Sequence, residues 1–248
     1  MTREPNLPDL GAGPAFEHTL LAKAFHLLLD DRRPISPAQL AGAFESRPER
    51  VERILALLDW QGRLRRDRTG ALSGSHGLSL TPTPHELLLE HHNGRERQFW
   101  TWYAWDAVGI LVALDASGRI RSTSPSSGAP IQLDFHYGHP HDPEPGLVVF
   151  FADTDCCTPA NGADDRGCCG SGSVIDEWCP LVNFFEHADA AQAWAAEHGV
   201  RGTAVPLAEA TDRGRRVWRR WIADSRQPSE PADQLRSRLS RRPVPASR

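Results

Sequence analysis

No stretch of this 248-residue sequence is an uninterrupted apolar run long enough to cross a bilayer. Its first residues, MTREPNLPDLGAGPAFEH, lack the charged region followed by an apolar core that marks a secretion signal. Excess basic charge is missing too: the formal net charge is -4 and the pI is about 6.3, so no overall balance draws the chain to nucleic acid or an anionic membrane. Internal repeats are absent. These absences exclude a membrane protein and a repeat array, and they set the expectation of a cytoplasmic globular protein. Hydrophobic residues make up 40% and charged residues 24%, enough to build a sizeable core.

What is present is concentrated. All five cysteines fall between Asp153 and Phe185: Cys156 and Cys157, then ten residues rich in Gly, Asp, Asn and Pro, then Cys168 and Cys169, then Cys179 before a short apolar run. An odd number of clustered cysteines in a reducing compartment reads as metal or redox thiols rather than a disulfide framework. Structural zinc sites favour cysteines two to four residues apart, and adjacent cysteines in extended backbone point to opposite sides. The spacing therefore predicts three convergent sulfurs, one from each pair plus Cys179, a set that suits Hg(II), Cu(I) or another soft ion at least as well as Zn(II). Glycines at 162, 167, 170 and 172 permit the turns that would bring in a fourth, so a closed Zn, Cu or iron-sulfur site stays open as an alternative.

Around this loop the pattern is α+β. Residues 1–15 read as a flexible leader. Leucines and a phenylalanine at helical spacing predict a helix from Thr19 to Leu29, Ser36-Pro37-Ala38-Gln39 is a capping box opening a helix through Ala43, and Ser46-Arg47-Pro48-Glu49 repeats the device before Val51, Ile54, Leu55 and Leu58. Leu64 to Leu80, with Asp67-Arg68-Thr69-Gly70 at a turn, reads as a two-stranded wing. Residues 16–81 are thus expected to form a winged helix-turn-helix-like domain. Arg63, Arg65, Arg66 and Arg68 would give it a basic edge for DNA, against a mixed-sign third helix carrying Arg47, Glu49, Arg50, Glu52, Arg53 and Asp59.

Residues 82–98 read as a polar connector to a second domain over 99–223. Phe99 to Leu111 is apolar nearly all round and predicts a buried helix, which makes Asp106 expensive unless it is paired, with burial raising its pKa. It is either a carboxylate at a helix end or a functional acid. Gly118 to Ser122, Ile131 to Phe135 and Leu147 to Ala152 have strand character, and His136, His139 and His141 lie between the last two, in a spacing open to metal binding or to plain solvation. Ala188 to His198 is an amphipathic helix closed by Gly199, residues 203–222 add a strand and a helix with Trp218 and Trp221, and 224–248 reads as a disordered tail.

Four segments in this order resemble the alkylmercury lyase (organomercurial lyase, MerB) family: Gly77-Leu78-Ser79-Leu80-Thr81-Pro82-Thr83-Pro84-His85, Tyr103-Ala104-Trp105 with its apolar helix, Ser127-Gly128-Ala129-Pro130, and Cys179 with Val182-Asn183-Phe184-Phe185. The resemblance runs from the three-helix region to about Leu207. It implies a winged-helix-like domain joined to a mixed-sheet α/β domain, and protonolysis of a carbon-mercury bond without a required cofactor. The substrate would be an organomercurial and the product Hg(II) handed to an acceptor protein. Cys179 matches the family's second catalytic cysteine. Its first catalytic cysteine falls on Asp106, its catalytic aspartate on Gly109 and a structural cysteine on Ser124. The implied site is therefore Cys179 with Asp106 as proton donor and one of Cys156, Cys157, Cys168 or Cys169 as a further ligand. A non-catalytic thiolate metal binder, or a metal-responsive DNA-binding regulator, stands beside it.

Overall fold

The computed structural model describes residues 14–90, 95–153, 175–176 and 179–226. The leader up to residue 13, the tail beyond Arg226, and Cys156, Cys157, Cys168 and Cys169 lie outside the described residues.

Three helices open the chain: α1 (Pro14–Asp31), α2 (Pro37–Ala43) and α3 (Pro48–Trp60). Each starts on a proline, whose missing N–H costs nothing in a first turn. Buried Leu20, Leu21, Ala24, Phe25 and Leu28 lie on one face of α1. The capping box at α2 forms as its residues require: the Gln39 amide donates to Ser36 Oγ at 3.2 Å and the Ser36 amide to Gln39 Oε1 at 2.9 Å. The second box does not form. Arg47 is the N-cap of α3 and makes no side-chain cap, so that helix is held instead by buried Val51, Ile54, Leu55 and Leu58.

Next come β1 (Leu64–Arg66), β2 (Leu72–Ser75) and β3 (Leu78–Ser79), followed by β4 (His85–Glu90), β5 (Glu96–Thr101), α4 (Ala104–Ala113), β6 (Gly118–Thr123), β7 (Pro130–His136) and β8 (His139–His141). They form one eight-stranded sheet in the order β1-β2-β3-β5-β4-β6-β7-β8. The hairpin expected as a wing is thus one end of the main sheet, because β3 pairs onward with β5 through Leu78–Thr101 and Ser79–Trp100. The stretch expected as a connector supplies β4 and the start of β5, the central strands. Leu87, Leu88 and Leu89 in succession are buried, so the period-two alternation that marks a half-exposed strand is absent there.

A smaller sheet, β10-β9-β11, is made by β9 (Val148–Ala152), β10 (Asn183–Phe185) and β11 (Gly202–Pro206), with α5 (Ala188–Glu197) against it and α6 (Leu207–Arg226) closing the chain. The class is α+β, as expected, but the sheets are not mixed: among the described residues every strand pairing is antiparallel. Tight turns impose this. His76-Gly77 joins β2 to β3 and Tyr137-Gly138 joins β7 to β8, both with positive φ at the two turn residues, a geometry that returns the chain alongside itself.

One hydrophobic cluster runs from Leu20 and Phe25 in α1 through Leu87, Phe99 and Ile110 to Trp218 in α6. Close approach of α4 and α6 depends on glycine at 109, where a Cβ would fall 2.1 Å from Trp218 Nε1; a Cβ on Gly214 would make only an ordinary contact, 3.4 Å from the Gly109 Cα. Trp105 Nε1 donates to the Ala210 carbonyl at 2.8 Å across the same contact.

Candidate active site

Cys179 begins a short 3-10 turn, Cys179–Leu181, that leads into β10, and it is 1% exposed. The turn is tied to the start of α4 by the Ala104 amide, which donates to the Val182 carbonyl at 3.1 Å. Three residues into α4 sits Asp106, also 1% exposed. Against the sequence alternatives of a helix-end or solvent-facing carboxylate and a functional acid, the structure places Asp106 in the first turn of α4 and buries it, which rules out the solvent-facing form. The side chain turns back to the Tyr103 cap, in the manner of the third residue of a capping box, and is fully enclosed.

The Asp106 carboxyl lies flat against the β2–β3 turn. A Cβ built on Gly77 would fall 2.2 Å from Asp106 Cγ and 2.4 and 2.5 Å from its two oxygens, so only glycine permits the approach. Gly77 also has φ +77°, which glycine alone adopts without strain. Burial drives the Asp106 pKa well above the ordinary carboxylate range, opposed by hydrogen bonds from the Tyr103 side chain and backbone. Among the described residues its Oδ2 has no hydrogen-bond partner. Burial thus favours the protonated form of the Asp106 carboxyl. The Cys179 thiol is likewise pushed up, first by burial and then by the Asp106 carboxyl, while Arg65 opposes. The Cys179 thiol is thus within electrostatic reach of the Asp106 carboxyl.

Gly109, one turn beyond Asp106, has no side chain, and Trp218 fills the space where one would stand. The indole is wholly buried, its Nε1 unpartnered. It packs on Trp221, which stacks on His76 in the β2–β3 turn, with ring centroids 5.1 and 5.7 Å apart. Burial pushes His76 down to about 3, so the ring next to Gly77 is neutral. His85 is neutral for the same reason, its pKa lowered to about 4, with Nδ1 2.9 Å from Ser122 Oγ. Ser124, fully buried, donates to Glu186 at 2.7 Å, and Ser127 donates to the other oxygen of the same carboxylate. That clamp fixes the Ser127-Gly128-Ala129-Pro130 turn against the end of β10.

A cleft of about 490 Å³ borders the Cys179 turn, lined by Trp102, Pro82, Pro84, Ile175, Pro180 and Asn183 among others. Three of the four arginines expected on a basic edge are engaged with carboxylates: Arg63 with Glu17 at 2.9 Å, Arg66 with Glu52 at 2.7 Å, and Arg65 with Asp176. His136 and His141 stack at 4.2 Å across the β7–β8 hairpin. Among the described residues no group of three or more His, Cys, Asp or Glu is placed to hold a metal ion. The structure thus brings Cys179 and Asp106 together. Gly77, Trp218, Trp102 and His85 are site-forming residues that sequence reasoning assigned no role. Only the His76-Gly77 pair carried a local signal, as a turn dipeptide.

The site thus combines a buried thiol and a buried carboxyl on an α+β scaffold with a large antiparallel sheet. The sequence profile of alkylmercury lyase (MerB) matches residues 78–219. An alkylmercury lyase of Streptomyces lividans is 29% identical over 205 residues, 83% of this chain and 85% of that protein, and one of Bacillus cereus is 28% identical over 171 residues, 69% of each. The crystal structure of the mercury-bound form of MerB2 superposes with a TM-score of 0.69 at 20% identity, covering 86% of this chain and 94% of that one, which is a likeness of fold. The chain belongs to the alkylmercury lyase family.

Proposed function

We propose that this protein cleaves the carbon-mercury bond of organomercurials by protonolysis, with Cys179 as a mercury ligand and Asp106 as the proton donor. The observation that carries the reading is the buried Asp106 carboxyl, its pKa raised by burial, within electrostatic reach of the buried Cys179 thiol. The organomercurial enters as R–Hg–X, with X a thiolate. Cys179 displaces X, its thiol proton leaving with X as HX, and a Cys179 S–Hg–R adduct forms. Asp106 then transfers its proton to the carbon: the O–H and Hg–C bonds break, a C–H bond forms, and RH departs. The carboxylate left behind becomes an oxygen ligand to Hg(II) on Cys179. One of Cys156, Cys157, Cys168 or Cys169 supplies a second sulfur, which raises electron density on the metal and makes the carbon more basic.

Burial suits each partner to this task. A carboxyl that stays protonated at neutral pH is a ready general acid, and a thiol that is reluctant to ionise alone still gives up its proton when a soft cation replaces it. The test is hydrocarbon release from phenylmercury acetate, followed by gas chromatography, in wild type, Cys179→Ala and Asp106→Asn. Benzene release is expected in wild type and lost in both variants, with mercury uptake retained in Asp106→Asn only. Undiminished benzene release from Asp106→Asn would remove Asp106 from the reaction.

A further inference from the structure

The cleft beside Cys179 has a character that the reaction itself does not require. Trp102 and three prolines, Pro82, Pro84 and Pro180, line it together with Arg65, Arg66 and several hydroxyl side chains. Pro180 directly follows Cys179, and Ile175 and Asn183 come from the same segment, so a group carried on a mercury at Cys179 would project along this cleft. At about 490 Å³ it is far larger than a methyl group needs.

Trp102 is fixed in plane. Its backbone N–H donates to the Gly77 carbonyl at 3.0 Å, and its indole edge lies on Gly74, where a Cβ would come 3.2 Å from Nε1 and 3.3 Å from Cζ2. Among the described residues that buried Nε1–H has no partner. Arg65 and Arg66, which line the cleft, are compensated. Arg66 bonds Glu52 and the Gly70 carbonyl, Arg65 is paired with Asp176, and Asp59 lies within electrostatic reach of both arginines. The cleft thus offers ring surfaces from Trp102 and the prolines, and its two arginines are already engaged by carboxylates rather than free for an anionic substituent.

We propose that this cleft is an aromatic-ring slot that makes the enzyme select organomercurials bearing a neutral aryl group, with Trp102 as the specificity-determining residue. The inference rests on the organomercurial reading above. A ring stacked on an indole gains about 0.5–1.5 kcal/mol beyond its buried area, which corresponds to roughly two- to tenfold in affinity.

The experiment compares phenylmercury, methylmercury and 4-mercuribenzoate in two readouts, equilibrium transfer from a small buffer thiol onto the protein and kcat/KM for hydrocarbon release. Wild type is expected to favour phenylmercury over both others in transfer. Trp102→Leu lowers the phenyl-to-methyl ratio by about three- to tenfold, and Trp102→Phe, which keeps a ring, holds it within about twofold. Gly74→Ala, which leaves the indole in the chain but crowds it, shifts the ratio in the same direction as Trp102→Leu. No phenyl preference in wild type, or an unchanged ratio in Trp102→Leu and Gly74→Ala, overturns the slot. 4-Mercuribenzoate equal to or better than phenylmercury overturns its neutrality. If no substrate releases hydrocarbon, the lyase reading fails, and the transfer ratio still decides the slot.

Discussion

Asp106 owes its chemistry to a missing side chain elsewhere. Gly77 presents bare backbone to its carboxyl, and water is excluded from both, so the proton stays on. Asp106→Asn is expected to reduce hydrocarbon release by about 10²–10⁴-fold, the usual worth of a positioned general acid, measured as kcat on phenylmercury. It should also stabilise the fold at neutral pH. Above pH 3.8 the unfolded chain sheds the Asp106 proton while the folded chain keeps it, so this residue's contribution to stability falls as pH rises toward its folded pKa. The variant's advantage in urea unfolding should therefore grow from pH 4 to pH 7, and an advantage constant with pH would mean that Asp106 is ionised in the fold. His85 acts with the opposite sign. Its pKa drops from 6.5 to about 4 on folding, so stability is lost as pH falls through that window, by up to about 1.4 kcal/mol per pH unit. His85→Gln should flatten the acid limb of the stability profile.

At the scale of elements, α4 and α6 explain why the site has the shape it has. Gly109 lets the helices close, and Trp218 occupies the volume that a side chain at 109 would need. A carboxylate at 109 cannot simply be added. Gly109→Ala should cost about 1–3 kcal/mol through overpacking against the indole, and Gly109→Asp more, since it also buries a charge. Pairing Gly109→Ala with Trp218→Leu should recover part of that loss, which a double-mutant cycle in chemical denaturation would read as a favourable coupling. Additive losses would show that the two positions do not meet. The same logic places Ser124 and Ser127, which together clamp Glu186 and so tie a β6–β7 turn to the strand that follows Cys179. Where the family resemblance put a structural cysteine, a hydroxyl does positional work through a hydrogen bond.

Over the whole molecule, the N-terminal helices pack into one core with the eight-stranded sheet, α4 and α6, while parts of β9, β10 and α5 form a second, smaller cluster. Leu20, Phe25, Leu87, Phe99, Ile110 and Trp218 belong to one cluster, and β1 to β8 are hydrogen-bonded in a single sheet. Thermal unfolding followed by calorimetry and by tryptophan near-UV circular dichroism should give one coincident transition. Two resolved transitions would mean that residues 16–81 fold as a separate unit. The shared core also bears on DNA as a partner. Glu17, Glu52 and Asp176 pair with Arg63, Arg66 and Arg65, so those arginines serve internal contacts rather than a phosphate-facing edge.

The sequence by itself determined the local units. The capping box at Ser36, the buried face of α3, the strands at 118–123, 130–136 and 148–152 and the helix closed by Gly199 follow from short-range periodicity and turn chemistry, which act over a few residues whatever the rest of the chain does. It also marked Cys179, and it marked Asp106 as a charge in an apolar helix. The tertiary structure alone decided the rest. β4 has both of its faces covered at Leu87, Leu88 and Leu89, a condition set by distant elements and not by its own alternation, and β5 beside it is buried only in its second half. The Asp106 pKa is raised because the fold buries its carboxyl, with Gly77, 29 residues earlier, against it, and position 109 is closed because Trp218, 109 residues later, fills it. Burial and pKa depend on what packs against a group, and packing partners are chosen by the fold.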